Sequence, residues 1–358
     1  MQPEHAAALD AFAPERFGFR RHQRGWIREF DGLGAVAVTA LSWPHAQTPS
    51  FAYIDGQTVP TDALGLVVQL QQQVWGFPPE LVVPTNVMAI LPDSGGSVLV
   101  AYVLDVGFNA DGWLGFVIGF GARSGTLVSH MLGVREELRG TKGIGWHLKL
   151  LQAYEALRTG HTAAAWTFDP MRGMNARLNL EKLAATAAEL SIDKYGVLRS
   201  ALYGENVPTD RLTAHWDLIA PATHQRIAQV ATGTYPGLAL SDVADVPEAT
   251  AASLSALATN QPDRIRFRIP GDIDRLMRID PPAAIRWRQE MRAVLSTFLT
   301  TKSMHVDDNG RGGPIAAGEQ KQPGAYVITA LATGPDATGE RASYYVLTRQ
   351  EHTSEGTA

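Results

Sequence analysis

Residues 139–150 read "RGTKGIGWHLKL", and the types and spacing of Gly140, Gly143 and Gly145 could hold a phosphate. Glycine lets a backbone turn tightly and approach a ligand closely, and the first N–H groups of a following helix are open to an anion. Lys142 and Arg139 add positive charge where a helix end is already positive, which stabilises the helix little and makes better sense with an anion bound. Simple turn formation and close packing are the other use of such glycines. The chain has no cysteine, which excludes disulfides, thiolate chemistry and zinc sites built on cysteine. Its ten histidines show no HxxxH or HExxH spacing, so no metal is expected.

Strands and helices must position that turn. Residues 97–134 hold three apolar runs, "SVLVAYVLDV", "WLGFVIGF" and "TLVSHMLGV", split by "GFNADG" and "GARSG", which predicts an antiparallel meander. Ile144, Leu148, Leu151 and Ala156, with Trp146, Leu150 and Leu157 beside them, recur at helical spacing up to Gly160. "TAAAWTF", ended by Asp169-Pro170, reads as a buried strand. "GMNARLNLEKLAA" reads as a helix, "AELSIDKYGV" as a strand with a turn, and "TDRLTAHWDLI" as a strand, giving the order βββαβαββ. Residues 221–270, rich in Ala, Thr, Pro and Asp, read as a linker carrying one small helix that starts near Pro247 and Glu248. A short helix and a long one opened by Pro281-Pro282 follow. Two strands, "AYVITAL" and "SYYVLTR", come last, with "DDNGRGGP" and "GPDATGE" as loops and a disordered "HTSEGTA" tail.

At 358 residues and 45% apolar content the chain has material for roughly two domains of about 150 residues each. The division expected is an N-terminal docking segment with the first strands over 1–60, a ligand-binding domain over 61–220 and a C-terminal α/β region over 221–358. A net charge of −5, from 31 basic and 36 acidic residues, gives no electrostatic reason to expect nucleic acid. Arg16, Arg20, Arg21, Arg24 and Arg28 are interleaved with Phe17, Phe19, Trp26 and Ile27, the pattern of an amphipathic docking segment. No apolar run is long enough for a membrane span, and "MQPEHAAALDAF" lacks a signal core, so a cytoplasmic location is the default expectation.

The element order and the glycine turn resemble the GNAT acyltransferase superfamily, whose cofactor loop is written Q/R-x-x-G-x-G/A. More narrowly, the chain is similar to a subfamily of long GNAT proteins of poorly defined activity. The motifs are "VWG" at Val74–Gly76, "SHMLGV" at Ser129–Val134, "GIG" at Gly143–Gly145, "LKL" at Leu148–Leu150 and "WTFDP" at Trp166–Pro170. "NARLNLEKL" at Asn175–Leu183, "TDRL" at Thr209–Leu212 and "IRWRQEMR" at Ile285–Arg292 complete the set, which spans about residues 65–300. The resemblance implies an α/β (α+β) fold with a central mixed sheet flanked by helices. It also implies a slot between the "HMLGV" and "AAAWTFDP" strands for the pantetheine arm of acetyl-CoA or another acyl-CoA. By position, Leu132, Gly133 and Val134 would offer backbone groups to that arm. Arg135, Arg139, Gly140, Thr141, Lys142, Gly143, Ile144 and Gly145 would flank the pyrophosphate. One departure is that aligning Gly143 and Gly145 with the motif places Gly140, not Arg139, at the Q/R position, a loop one residue longer.

Acyl transfer to an amine needs a base, a donor near the thioester carbonyl and an acid for the thiolate. Asp169, at the strand end, is the first candidate base, a helix cap or turn former being its other use. His130 could relay a proton or bind substrate, or be a hydrogen-bonded structural residue. Asn175 could donate to a carbonyl or cap a helix. Tyr195 and Tyr203 are the candidate acids, and Trp166 and Phe168 wall the slot or the core. Arg177, Lys182, Asp210 and Arg211 form an ion network or bind an anionic substrate. Ile285, Arg286, Trp287, Arg288, Met291 and Arg292 in the long helix present cations to a substrate or straddle an interface. The expected activity is an acyl-CoA-dependent transfer to a small amine or hydroxyl acceptor, and the C-terminal part builds one wall of the substrate cavity or a homodimer face. The alternatives are a GNAT scaffold turned to thioester decarboxylation, hydrolysis or chemistry without CoA, and a non-catalytic ligand-binding protein.

Overall fold

A computed structural model describes residues 2–23, 25–42, 50–54, 57–122, 124–196, 207–303 and 324–350. Arg24, Tyr203, "DDNGRGGP" and "HTSEGTA" lie outside the described residues. In chain order the chain forms α1 (Pro3–Ala11), β1 (Arg20–His22), β2 (Gly25–Phe30), β3 (Gly34–Ala40), β4 (Ser50–Ile54) and β5 (Gln57–Thr61). Next come α2 (Ala63–Trp75), α3 (Thr85–Ile90), β6 (Ser97–Val103), β7 (Trp113–Gly121), β8 (Thr126–Val134), α4 (Ile144–Arg158) and β9 (Ala163–Phe168). Then follow α5 (Gly173–Ala176), β10 (Thr186–Ile192), β11 (Arg211–Asp217), α6 (Pro221–Ala231), α7 (Leu254–Asn260) and β12 (Arg264–Ile269). The chain closes with α8 (Ile273–Ile279), α9 (Pro281–Phe298), β13 (Thr300–Ser303), β14 (Tyr326–Pro335) and β15 (Arg341–Arg349). This is the α/β class expected, with parallel and antiparallel strand pairs mixed and helices packed on the strands.

The chain divides into two compact units, the first holding Met1–Trp166 and Trp216–Gly233, the second Thr167–Leu198, Glu205–His215 and Thr234–Ala358. In the first, neighbouring strands run β1-β2-β3-β6-β7-β8-β9. The three expected meander strands are β6, β7 and β8, and the helix predicted up to Gly160 is α4. Residues Trp113–Gly119 of β7 are all buried, as a strand covered on both faces requires. Phe116 and Ile118 point into an apolar cluster with Leu66, Val67 and Leu70 of α2. Gly115 and Gly119 face α4, where an added Cβ would lie 3.0 Å from Leu148 Cδ1 and 2.7 Å from Gln152 Nε2. Their lack of side chains lets the helix settle on the sheet. The Arg and aromatic segment expected to dock builds the 3₁₀ turn Pro14–Phe17, β1 and β2, and it buries Phe17, Phe19, Trp26 and Ile27 within this unit.

In the second unit the order is β11-β10-β14-β15-β12, with β13 parallel on β10. The core is Phe267, Phe298, Tyr326, Tyr345 and Leu347, with Met291, Val294 and Leu295 from α9. α9 opens as expected at Pro281-Pro282, where Asp280 accepts from the Ala283 N–H at 3.0 Å. The linker expected over 221–270 is corrected, because it holds α6 and β12, and its small helix starts at Leu254 rather than near Pro247. In β12 the sequence RIRFRI buries Ile265, Phe267 and Ile269 and turns the arginines outward, a period of two that identifies a strand.

Candidate active site

β8 pairs with β7 along its length but with β9 only at Thr126↔Ala163, Leu127↔Ala164 and Val128↔Ala165. Opposite Ile118 and Gly119 of β7 the partners are Met131 and Ser129, so His130 is an extra residue in β8. A bulge of this kind bends its strand and breaks the ladder locally. It comes two residues after the last pair with β9, and Ser129–Val134 run on with no β9 partner. The split that the resemblance implies thus coincides with an irregularity in β8 itself.

Beyond Val134 the chain turns through Glu136–Leu138 and enters α4 at Gly143. Gly140 and Gly143 have φ of 75° and 70°, the left-handed region where a side chain is strained. Gly143 is the N-cap and no side chain caps the helix, so its first N–H groups are open to an anion. An added Cβ on Gly145 would lie 3.5 Å from Val134 Cγ2 and 3.6 Å from Leu132 Cδ2, which places the first turn of α4 against the end of β8. Leu132, Gly133, Val134, Gly143, Ile144 and Gly145 are thus brought together.

The cations around this turn hold backbone carbonyls. Arg139 Nε donates to Val134 O at 3.1 Å, and Lys142 Nζ donates to Asp31 O at 2.8 Å. Arg135 donates to Ala110 O and Asp111 O and lies over the Trp113 ring. Each bond leaves Arg139 and Lys142 further N–H donors. Thr141 is exposed, its hydroxyl 3.3 Å from Leu138 O. The chemistry of this donor set fits a pyrophosphate: uncapped helical N–H groups, glycines in the turn and tethered cations. Within α4, His147 Nδ1 meets Gly143 O at 2.9 Å while its Nε2 meets Arg28, whose pKa burial lowers.

Of the candidate catalytic residues, His130 lies in this unit. Its residue surface is exposed at the bulge, but its ring lies edge-on to Phe120 at 5.5 Å, and partial desolvation of the imidazole lowers its pKa. Asp169 and Asn175 belong to the second unit. Asp169 is 2% exposed and accepts from Arg288 NH1 at 3.2 Å, Arg288 NH2 at 2.9 Å and the Met171 N–H at 2.9 Å. Burial pushes its pKa up, but the charge and hydrogen bonds of Arg288, with Arg211 and the Met171 N–H, hold it below the ordinary carboxylate value. Tyr345, whose phenol burial and the Asp169 charge push well up, donates to Pro170 O at 2.6 Å. Asn175 is exposed inside α5, whose N-cap is Arg172.

Of Arg177, Lys182, Asp210 and Arg211, named together from sequence, Arg177 and Asp210 take ionic partners from outside the set. Arg177 pairs with Glu181 at 3.0 Å. Asp210 is fully buried and takes Arg292 NH2 at 2.6 Å, while the same guanidinium reaches Asp193 at 2.9 Å. Arg211 lies over the Tyr195 ring at 5.4 Å and donates to Asp210 O. Arg288 and Arg292 of the long helix are thus both engaged inside their unit.

Sequence reasoning missed a buried polar group in the first unit. Lys149 of α4 is 2% exposed, its Nζ 2.8 Å from Ser129 Oγ and 3.4 Å from the Trp166 ring centre. Ser129 Oγ donates to Gln152 Oε1 at 2.7 Å. Burial holds the Lys149 amine well below its ordinary value, and no carboxylate opposes that shift. The available signal was a lysine between Leu148 and Leu150 in an apolar helical run.

Among the described residues no three His, Asp or Glu gather as a metal site, and no helix is long and apolar enough to cross a membrane. No protein-family model matches the sequence, and no curated protein does. The structural neighbours are GNAT-family acetyltransferases, matched over about half the chain at low identity. An IAA acetyltransferase from Bacillus cereus ATCC 14579 is 12% identical, with 51% of this chain and 99% of that one covered and a TM-score of 0.35. Nourseothricin acetyltransferase is 15% identical, over 61% of this chain and 95% of that one, at 0.27. A GNAT family acetyltransferase from Elizabethkingia anophelis with acetyl-CoA bound is 13% identical, over 36% of this chain and 78% of that one, at 0.29. At such identities and scores, function has to be argued from this chain's own residues.

Proposed function

We propose that this protein is an acyl-CoA-dependent acyltransferase that moves an acyl group to a small amine or hydroxyl acceptor. The observation that carries the proposal is the split of β8 from β9 at the His130 bulge, running directly into an uncapped helix with Gly140 and Gly143 in left-handed conformation. An unpaired strand edge suits the amides of a pantetheine arm, and a helix N-terminus suits a pyrophosphate. Leu132, Gly133 and Val134 would hold the arm, and Gly143, Ile144 and Gly145, with Arg139 and Lys142, the phosphates. Acyl-CoA would supply the activated thioester there, with free CoA as the leaving thiol. A cytoplasmic small-molecule role fits this reading.

Calorimetric titration of acetyl-CoA and free CoA tests it, with Thr141→Glu as the control variant. Thr141 is exposed, so a carboxylate there leaves packing alone while setting a negative charge beside the phosphate site. Saturable binding by wild type that weakens at least tenfold in Thr141→Glu is expected. Folded wild type that binds neither acetyl-CoA nor a longer acyl-CoA refutes the proposal.

A further inference from the structure

Lys149, Ser129 and Gln152 form a buried polar group, with the half-buried Trp166 ring against Lys149, and it has no part in cofactor binding as proposed above. Its place is specific. Ser129 is the first β8 residue, and Trp166 the first β9 residue, beyond the last pair Val128↔Ala165, so the group sits at the apex of the split. Lys149 and Gln152 reach this apex from α4, and Gly119 of β7 leaves room for the Gln152 amide.

The hydrogen bonds around Ser129 are unfinished. Its hydroxyl accepts from Lys149 and donates to Gln152 Oε1, while Gln152 Nε2 is buried with no partner. A half-turn of the Gln152 amide would give Nε2 the Ser129 oxygen as acceptor and release the Ser129 proton toward Nζ. A buried donor left unpaired is costly, and the turned amide pairs it. Nζ can accept that proton only as a neutral amine, and burial with no opposing carboxylate favours that form.

Resting on the acyltransferase reading, we infer that Ser129 and Lys149 are the proton relay of acyl transfer. As the acceptor nitrogen or oxygen bonds to the acyl carbon, the proton it loses goes to Ser129 Oγ. The Ser129 proton passes to Lys149 Nζ, which becomes an ammonium. When the C–S bond breaks with its electron pair on sulfur, Lys149 returns a proton through the same hydroxyl to the thiolate, leaving an amide or ester, free CoA and a neutral lysine. Ser129 meets the reacting atoms, and Lys149 acts through it as a positioning residue and proton store.

The titratable groups of the surrounding elements are few. β7 and β9 have none, and β8 has His130, an exposed residue beside Phe120. Tyr102 of β6 is engaged with Thr39 Oγ1. In α1, His5 meets Leu157 O, Asp10 pairs with Arg16 and Glu4 is exposed. In α4 itself, His147 is held at the first turn by Gly143 O, Tyr154 packs edge-on to Trp26 and Glu155 pairs with Arg158.

The test uses the full chain with ¹³C at lysine Cε, which has six lysines to resolve, and Lys149→Met to identify the Lys149 signal. Acetyl-CoA is the probe, and its hydrolysis, with water as acceptor, is followed by thiol release against pH. The Lys149 signal is expected to titrate below the other lysines and to shift when acetyl-CoA binds. Hydrolysis is expected to fall about 100-fold in kcat in Lys149→Met and Ser129→Ala, at unchanged KM, with loss of the acid limb of the pH profile. Bound acetyl-CoA that leaves the Lys149 signal unmoved, or hydrolysis no faster than in free solution or equal in wild type and variants, overturns the relay alone. Absence of acetyl-CoA binding by calorimetry overturns the acyltransferase reading beneath it.

Discussion

Replacing Asp169 by Asn separates a catalytic base from a structural anchor. Both Arg288 and Asp169 are almost completely buried, with side chains 3% and 1% exposed, and they meet through two parallel hydrogen bonds. Asn keeps the shape but leaves the guanidinium without its counter-charge, and breaking a buried pair in this way costs about 3–5 kcal/mol. At about 2–4 °C per kcal/mol for a unit of this size, Tm should fall by about 6–20 °C. Replacing both residues, as Asp169→Leu with Arg288→Met, should recover most of that loss, since no charge is then stranded. Asp169 has a folded pKa below its ordinary value, so its contribution is complete above the unfolded pKa near 3.8 and disappears as pH falls through the folded value. The stability of wild type should therefore drop more steeply below pH 4 than that of Asp169→Asn. Denaturant melts of the four proteins of the cycle, each from pH 2 to 8, measure both effects. A loss under about 1 kcal/mol in Asp169→Asn, together with abolished turnover in folded protein, would refute the anchor and make Asp169 the base.

Lys149→Met should stabilise the protein at neutral pH. Its folded pKa lies below its ordinary value, so the wild type binds fewer protons folded than unfolded and gains stability as pH rises towards about 10.5, a slope the variant should lack in urea melts. Gly133→Ala places a Cβ 2.6 Å from Phe116 Cε1 and should cost about 1–3 kcal/mol by the same assay. Gln71 is fully buried in α2, donates to Val83 O at 3.1 Å and accepts from the Val83 N–H at 2.7 Å. Gln71→Leu should cost about 1–3 kcal/mol by stranding both backbone groups, visible also as faster amide exchange at Val83.

The periodicity of the chain made much of the fold legible. Alternation and glycine turns marked β6, β7 and β8, and helical spacing marked α4 and its end near Gly160, because those signals are local and repeat every two or 3.6 residues. β12 was as regular in sequence, yet its short RIRFRI run lay in a stretch whose Ala, Thr and Pro content outweighed it.

Sequence by itself determined the glycine turn, the order of strand, turn and helix around it and the lack of any cysteine side chain, since each depends on neighbouring residues or composition alone. Tertiary structure decided which polar groups meet. Asp169 acquired Arg288 from 119 positions away, and Lys149 acquired Ser129 from 20. Neither partnership leaves a local pattern, because a buried charge is defined by what surrounds it in space, and the same carboxylate or amine would be an ordinary ion in water. The His130 bulge belongs with them, for one extra residue in β8 can be counted only against the strand it pairs with.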